Sequence, residues 1–139
     1  MQDLFYFSQS GVIPYRIHED KLQILLITSI KKKRWVIPKG FVEFRLTAFE
    51  SAKKEAYEEA GVIGTGEDLE IGSYEIQKET GRIEVRVFPL LVTKLLEVYP
   101  EIDLRKRKWF DYDEAVGKVD NPRIARMLHI LKEKVFLLN

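Results

Sequence analysis

The sequence predicts an α+β fold, a mixed-sheet sandwich rather than a regular alternation of strands and helices. Two observations lead to this prediction: several strand-like segments precede the clearest helical segment, and more strands follow it before a second helix. Regular β-α alternation would indicate a parallel sheet with crossover helices. The 139 residues, of which 45% are hydrophobic and 32% charged, have the length and composition of a single domain spanning 1–139.

Charge and cysteine content exclude several classes of function. The chain has 23 Lys+Arg against 22 Asp+Glu, so bulk charge gives no reason to expect a stable nucleic-acid partner or a membrane surface. Cysteine is absent and only two histidines occur, which excludes disulfides, thiolate sites and histidine-rich metal sites. A bound metal would need oxygen ligands, which favours Mg²⁺ or Mn²⁺.

The first residues of the chain do not resemble a targeting signal. They lack a basic start followed by an apolar run, so no signal peptide is expected. No apolar run approaches the ~18 residues of a membrane span. We therefore expect a cytoplasmic protein with no membrane partner.

The first third of the chain is rich in strand-like segments. Residues 4–17 have strand composition, which Gly11 and Pro14 are expected to break. Residues 22–30 form a nearly continuous apolar run, typical of a central strand. A basic loop over 31–34 then precedes a short strand over 35–37.

The clearest helix is predicted over 47–60. Thr47 and Glu50 form a capping box, in which each side chain satisfies a backbone N–H of the first turn. An apolar stripe recurs at helical spacing and Gly61 follows as a C-terminal cap; the stripe residues are Phe49, Ala52, Ala56 and Ala60. Residues 63–68 are expected to form a loop.

The second half of the chain predicts more strands and a last helix. Segments 69–78 and 82–96 read as two strands around a turn at 79–81. Residues 106–110 are a further short strand, and 113–118 are one or two helical turns. Asn121-Pro122 is a favourable start for the last helix, because asparagine caps and proline fits the first position.

Three glutamates crowd one side of the 47–60 helix. At ~100° per residue, Glu55, Glu58 and Glu59 share an arc of roughly 100° beside the apolar stripe. Like charges at this spacing cost ~0.2–0.5 kcal/mol per pair, and they lie at the wrong end for the helix dipole. A divalent cation would reverse that effect. The alternative is a solvated acidic face with Lys53 and Lys54 as neighbours.

The residues around this helix resemble the signature of the Nudix hydrolase family. That signature is a glycine followed at fixed intervals by Glu, Arg-Glu, an aliphatic residue, Glu-Glu, Gly and another aliphatic residue. Six positions match in register across 23 residues: Gly40, Glu55, Glu58, Glu59, Gly61 and Val62. The resemblance extends to most of the chain through segments 10–15, 38–40 and 109–115.

Two positions depart from the Nudix signature. Leu46 stands where the signature has its first Glu, and Lys54 stands where it has Arg. The family arginine holds metal-binding carboxylates through a planar fork, whereas lysine is a point charge on a flexible stem. These departures leave open a noncatalytic, nucleotide-binding module on the same fold.

The resemblance implies the Nudix fold, a mixed sheet between helices (α/β/α), and a metal-dependent pyrophosphohydrolase. Such enzymes cleave a nucleoside diphosphate linked to another moiety, with Mg²⁺ or Mn²⁺ as cofactor. The implied metal ligands are the backbone carbonyl of Gly40 and the carboxylates of Glu55, Glu58 and Glu59, which are also the predicted catalytic residues. Glu55 is the helix candidate for the general base; the loop alternatives are Glu79, Glu84, Glu101 and Asp103.

The expected substrate is a small phosphorylated molecule with a long polyphosphate. Basic runs at 31–34 and 105–108 suit such a ligand, and Lys33, Arg34 and Lys39 are the predicted substrate-binding residues. Similar Pro-Lys-Gly segments occur in family members acting on dinucleoside polyphosphates and diphosphoinositol polyphosphates. Removal of a 5′ pyrophosphate from RNA is an alternative. Many family members are dimers, so the resemblance also implies a homodimer, although no exposed apolar segment marks an interface.

Overall fold

The computed structural model of the chain describes residues 5–137, with side chains described over 8–136. Its elements are β1 (Phe5–His18), β2 (Lys21–Thr28), β3 (Trp35–Val36), β4 (Lys39–Phe41), α1 (Ala48–Ala60), β5 (Val62–Thr65), β6 (Gly72–Lys78), β7 (Gly81–Leu95), β8 (Arg107–Asp111), α2 (Tyr112–Lys118) and α3 (Pro122–Leu137). None of the helices within the described part is long and apolar enough to span a membrane.

The strands form one mixed sheet. Its central pair is β1 and β7, which run parallel from Phe5↔Gly81 to Tyr15↔Leu91. The strand order is β3-β2-β1-β7-β5, with β4 paired to β1, β6 to β7 and β8 to β2. All pairings other than β1–β7 are antiparallel, so the prediction of a mixed sheet is confirmed.

Helices cover both faces of this sheet. Successive side chains of a strand point to opposite faces, and the four buried residues of β2 from Ile24 to Ile27 divide between two apolar clusters accordingly. One cluster packs against α2 and α3, the other against α1. The predicted apolar stripe of α1 lies in the second cluster, so the predicted α/β/α arrangement is confirmed.

The first strand is not broken where the sequence predicts. β1 continues through Gly11 and Pro14, and the reason lies in its pairing. On the edge opposite β7, β1 pairs with β4 up to Gly11 and with β2 only from Tyr15 onward. Pro14 therefore falls in the gap between two partners, where a missing N–H breaks no ladder bond. A Cβ on Gly11 would lie 2.6 Å from the carbonyl oxygen of Pro38, so glycine permits the close approach there.

Two short strands differ from the sequence prediction. The segment expected to be a loop over 63–68 begins as strand β5, which pairs with β7 across an irregular register at Ile63/Gly64. A Cβ on Gly64 would lie 2.5 Å from the Leu91 carbonyl oxygen. Strand β4 was not predicted. Both strands contain glycine and are only three or four residues long, which hides their strand character in the sequence.

Helix α1 begins with the predicted capping box. The Thr47 hydroxyl accepts a hydrogen bond from the Glu50 N–H at 3.0 Å, and the Glu50 carboxylate accepts one from the Thr47 N–H at 2.8 Å. At the other end Gly61 adopts φ 65°, the left-handed conformation that favours glycine. The helix that carries the three predicted metal-binding glutamates is thus fixed at both ends.

We expect Thr47→Ala to lower the free energy of unfolding by ~1 kcal/mol, because it removes the N-cap acceptor. Urea denaturation of the wild type and the variant measures this. Thr47→Ser keeps the hydroxyl and should recover most of the loss. Equal stability of the alanine variant and the wild type would contradict the role of the cap.

Candidate active site

Helix α1 brings Glu55 and Glu59 together against the strand β4. They lie one helical turn apart and share a hydrogen bond. The Glu59 side chain is buried, with a residue exposure of 7%, and its Oε1 accepts a hydrogen bond from the Lys39 N–H at 3.3 Å. The buried Glu59 carboxylate thus meets the half-buried carboxylate of Glu55.

Gly40 forms one wall of this carboxylate pair. It pairs with Ser10 of β1, and a Cβ at this position would lie 2.3 Å from both Cδ and Oε2 of Glu55. Real Cβ atoms do not come that close, so the Glu55 carboxylate can keep this position only beside glycine. The match of Gly40 to the predicted site therefore has a steric reason. The use of its carbonyl as a ligand stays a prediction.

Burial changes the acidity of both glutamates. It raises the pKa of Glu59 to about 8 and also raises the pKa of Glu55. The Arg105 guanidinium opposes the shift at Glu59, while the neighbouring Glu55 adds to it. The pair therefore retains a proton near neutral pH when no cation compensates its charge.

We expect the protein without metal to lose stability as pH rises between about 4.5 and about 8. The folded pKa of Glu59 lies above its ordinary value, so across this window the folded state binds more protons than the unfolded state. Thermal unfolding in EDTA across that range measures the slope. Glu59→Gln should flatten it and should be the more stable protein at the alkaline end. Identical slopes for the two proteins would contradict the shift.

Glu58 lies beside the pair near the end of α1, and it is half-buried. Its negative charge helps to raise the pKa of Glu55, and its carbonyl oxygen accepts the Glu101 N–H at 2.9 Å. Across residues 5–137, no three His, Cys, Asp or Glu side chains stand as a preformed metal cluster. The carboxylates of Glu55, Glu58 and Glu59 offer only oxygen donors, and a partly buried carboxylate pair is the kind of group that a hard cation compensates.

The segment before β8 adds two charged residues to the site. The Arg105 side chain is only 14% exposed. Its Nη2 lies 3.8 Å from Oε2 of Glu59, and its Nε donates to Oε1 of Glu101 at 3.0 Å. Neither residue was a predicted metal ligand, although Glu101 was among the loop candidates for the general base. The sequence signal was weak: a Glu four residues before the Arg that opens the basic run 105–108.

Lys54 and Leu46, the two departures from the signature, lie outside the carboxylate pair. The Lys54 ammonium group donates to both oxygens of Glu43, at 2.9 and 2.8 Å. Leu46 is half-buried and supplies no carboxylate. The Glu43 N–H donates to the Ser51 hydroxyl at 2.9 Å, which ties the segment to α1. Sequence reasoning missed Glu43, since it lies three residues from the signature position.

The three predicted substrate-binding residues lie in different surroundings. Lys39 is in the site: its Nζ donates to Oε1 of Gln9 at 2.9 Å, and burial lowers its pKa while Glu59 raises it. Lys33 lines a cavity of about 680 Å³ together with Arg105. Arg34 forms an exposed ion pair with Asp120 at 3.2 Å, which directs it to the turn before α3.

Comparison with known families matches the NUDIX domain model to residues 8–131. The chain belongs to the Nudix family. Among curated relatives, Nudix hydrolase 18, mitochondrial, of Arabidopsis thaliana is 34% identical over 93% of this chain and 78% of the relative. Nudix hydrolase 21, chloroplastic, from the same organism is 36% identical over 80% of this chain and 59% of the relative. The predicted family and its hydrolase class are confirmed.

Solved structures of Nudix proteins share the fold. C. elegans Ap4A hydrolase aligns with a TM-score of 0.75 and 17% identity, covering 94% of this chain and 99% of that one. The MutT protein from Methanosarcina mazei aligns with a TM-score of 0.71 and 15% identity, covering 98% and 99%. The arrangement of strands and helices is therefore that of the Nudix fold.

Proposed function

We propose that this Nudix hydrolase is a metal-dependent pyrophosphohydrolase. The observation that carries the proposal is the pair formed by the buried Glu59 and the half-buried Glu55 against Gly40, because it concentrates negative charge where water has limited access. In the reaction, water attacks one phosphorus of a phosphoric anhydride, the P–O bond to the leaving phosphate breaks, and the water's proton passes to a base. Bound Mg²⁺ or Mn²⁺ supplies charge neutralisation of the phosphates and activation of water.

The chain's own residues take the following roles in this proposal. Glu55, Glu58 and Glu59 hold the metal, with the Gly40 carbonyl as a further oxygen ligand. Glu55 acts as general base, since it is the less buried member of the pair. Lys39, positioned by Gln9, stabilises phosphate charge next to the carboxylates.

Sheet pairing supports a long polyphosphate as the substrate. Strands β2 and β8 are neighbours, and the Thr28 N–H donates to the Lys106 carbonyl at 3.0 Å. This pairing brings Lys33 of the basic run 31–34 close to Arg105 and Lys106 of the basic run 105–108, although the two runs are far apart in the sequence. Lys33, Arg105 and Lys106 line one cavity, and Arg105 reaches from it to Glu59. Anionic groups beyond the cleaved bond would lie against these cations.

The walls of this cavity favour a nucleotide at the far end of the polyphosphate. Trp35, Ile102 and Leu104 line it, and Ile102 and Leu104 are 38% and 51% exposed. Apolar walls beside cations suit a base followed by phosphates, whereas a phosphorylated inositol has no aromatic face to pack against them. We therefore favour a dinucleoside polyphosphate over a diphosphoinositol polyphosphate. An Ap4A hydrolase is also among the proteins that share the fold.

A substrate panel tests this proposal. We would measure release of phosphate or nucleotide, with Mg²⁺ or Mn²⁺, from diadenosine polyphosphates, diphosphoinositol polyphosphates, nucleoside triphosphates, ADP-ribose and 5′-triphosphorylated RNA. We expect the highest kcat/KM with a diadenosine polyphosphate. The double variant Lys33→Ala/Lys106→Ala should raise KM about tenfold, which corresponds to ~1.4 kcal/mol, whereas Lys118→Ala on the exposed side of α2 should not.

Other outcomes point to the alternatives. Preference for a diphosphoinositol polyphosphate would show that the proposed substrate is wrong, while the proposed hydrolysis of a phosphoric anhydride would stand. Turnover confined to RNA, with steep salt dependence, would favour the RNA 5′-pyrophosphohydrolase. Nucleotide binding without any turnover would favour the noncatalytic module. A cytoplasmic location, a homodimer and a single domain over 1–139 stay predictions.

A further inference from the structure

We propose that Arg105 positions the metal-binding carboxylates in this protein, a role that the signature gives to the residue at the position of Lys54. The inference rests on the proposed metal site and concerns how its ligands are held. It assigns Arg105 as a positioning residue, acting through Glu59, and Glu101 as its anchor.

Lys54 is already bound elsewhere and is too exposed for this role. Its side chain is 44% exposed, and that of its partner Glu43 is 41% exposed. Both hydrogen bonds of the pair join Lys54 Nζ to the same carboxylate. An ion pair this open to solvent contributes little to stability. The pair fastens the 41–47 segment to α1 and holds the Lys54 ammonium group on Glu43, so the buried Glu59 takes its cation from elsewhere.

Arg105 supplies that cation from a different part of the chain. Three edges of its guanidinium are used: Nη2 faces Glu59 at 3.8 Å, Nε donates to Glu101 at 3.0 Å, and Nη1 donates to the Thr28 carbonyl oxygen at 3.2 Å. A planar group with partners on several edges has one orientation. Its side chain is 14% exposed and that of Glu59 is 9% exposed, so solvent screens their attraction far less than it screens the Lys54–Glu43 pair.

The segment that carries Arg105 is fixed to the same helix. The Glu101 N–H donates to the Glu58 carbonyl at 2.9 Å, and the Leu104 N–H donates to the Glu101 carbonyl at 2.9 Å. Thr28 adds two hydrogen bonds from its side: its hydroxyl accepts the Lys106 N–H at 2.9 Å, and its N–H donates to the carbonyl of the same residue. The Arg105 guanidinium is therefore held by Glu101 on one side and by Thr28 on the other, without any bound ligand.

Removing a group that orients a metal ligand typically costs 10–100-fold in metal affinity or activity. We expect Arg105→Gln to weaken Mn²⁺ binding by about that factor, and Arg105→Lys to restore part of the loss, because it keeps the charge without the planar fork. Lys54→Gln is the matched control: it removes one positive charge beside the same helix and should change the Mn²⁺ dissociation constant less than about threefold, since the pair it breaks is exposed.

The experiment is a Mn²⁺ titration of each protein without substrate. Electron paramagnetic resonance measures the free Mn²⁺ at each step, and circular dichroism shows whether each protein is folded. Loss of affinity in Arg105→Gln but not in Lys54→Gln supports the proposal; the reverse order, or equal affinities in all proteins, overturns it. If Arg105→Gln does not fold, Arg105→Lys and Glu101→Gln decide, and unchanged affinity in both overturns it. Failure of the wild type to bind Mn²⁺ would instead refute the metal site itself.

Discussion

Replacing Glu59 by Gln is expected to lower kcat by about 10²–10³-fold, the loss typical when one group that stabilises the transition state is removed. Glu59 is the most buried of the three helix carboxylates, and it contacts Glu55, Arg105 and the Lys39 N–H. Glutamine keeps the shape and one oxygen but removes the charge that a hard cation requires. Steady-state kinetics with saturating Mg²⁺ or Mn²⁺ measures the effect.

The control for this variant is Glu97→Gln, which makes the same change at an exposed position between β7 and β8. Its kcat should stay within about twofold of the wild type, as expected for surface substitutions that leave the site intact. The Glu59 variant should remain folded, because glutamine has nearly the same shape and never places a charge at this buried position. Wild-type turnover in the Glu59 variant would refute the catalytic role of the helix.

Gly40→Ala is expected to have the second largest effect. The new Cβ would lie 2.3 Å from Cδ and Oε2 of Glu55, so the carboxylate has to move. A misplacement of about 1 Å at a reacting centre costs about 10²-fold in rate. We therefore expect kcat to fall by about that factor. The change in KM should be smaller, since the new methyl group does not directly displace Lys39 or the cavity lined by Lys33, Arg105 and Lys106.

Gly117→Ala provides the matched control, because a Cβ at that position meets nothing within 4 Å. Both variants add one methyl group, and only one of them adds it beside the carboxylates. Circular dichroism should show both proteins folded. An active Gly40 variant would mean that Glu55 does not need its present position, and the assignment of Glu55 as general base would be wrong.

Local signals made helix α1 predictable. Its capping box, apolar stripe and glycine cap each act within a few residues, and each is present in the structure. The mixed sheet followed from the order of elements rather than from any single segment. The strand breaks at Gly11 and Pro14 were wrong because the local preferences of these residues were overridden by pairing with β7 on one side and by a gap between partners on the other.

Helical spacing predicted the part of the site that lies on α1, whereas Gly40 and Lys39 of β4 were predicted from the family signature and from the Pro-Lys-Gly segment. Glu55 and Glu59 could be placed on one face from their spacing, because helical geometry fixes neighbours one turn apart. The approach of Arg105 to Glu59 depends on the pairing of β2 with β8 and on the hydrogen bond between Glu101 and Glu58. Contacts between segments so far apart leave no periodic pattern in a single sequence. For the same reason, the sequence did not show that the side chains of the neighbouring residues Lys33 and Arg34 lie in different surroundings.

A calorimetric titration with Mn²⁺ in buffers of different ionisation enthalpy tests the central claim most directly. The claim is that Glu55 and Glu59 form one cation site, and a pair that retains a proton near neutral pH must release it when the cation binds. We predict saturable Mn²⁺ binding by the wild type with about one proton released per site near pH 7, and a large loss of affinity in Glu59→Gln. Equal Mn²⁺ binding by the wild type and Glu59→Gln, or no binding by either, would contradict the claim.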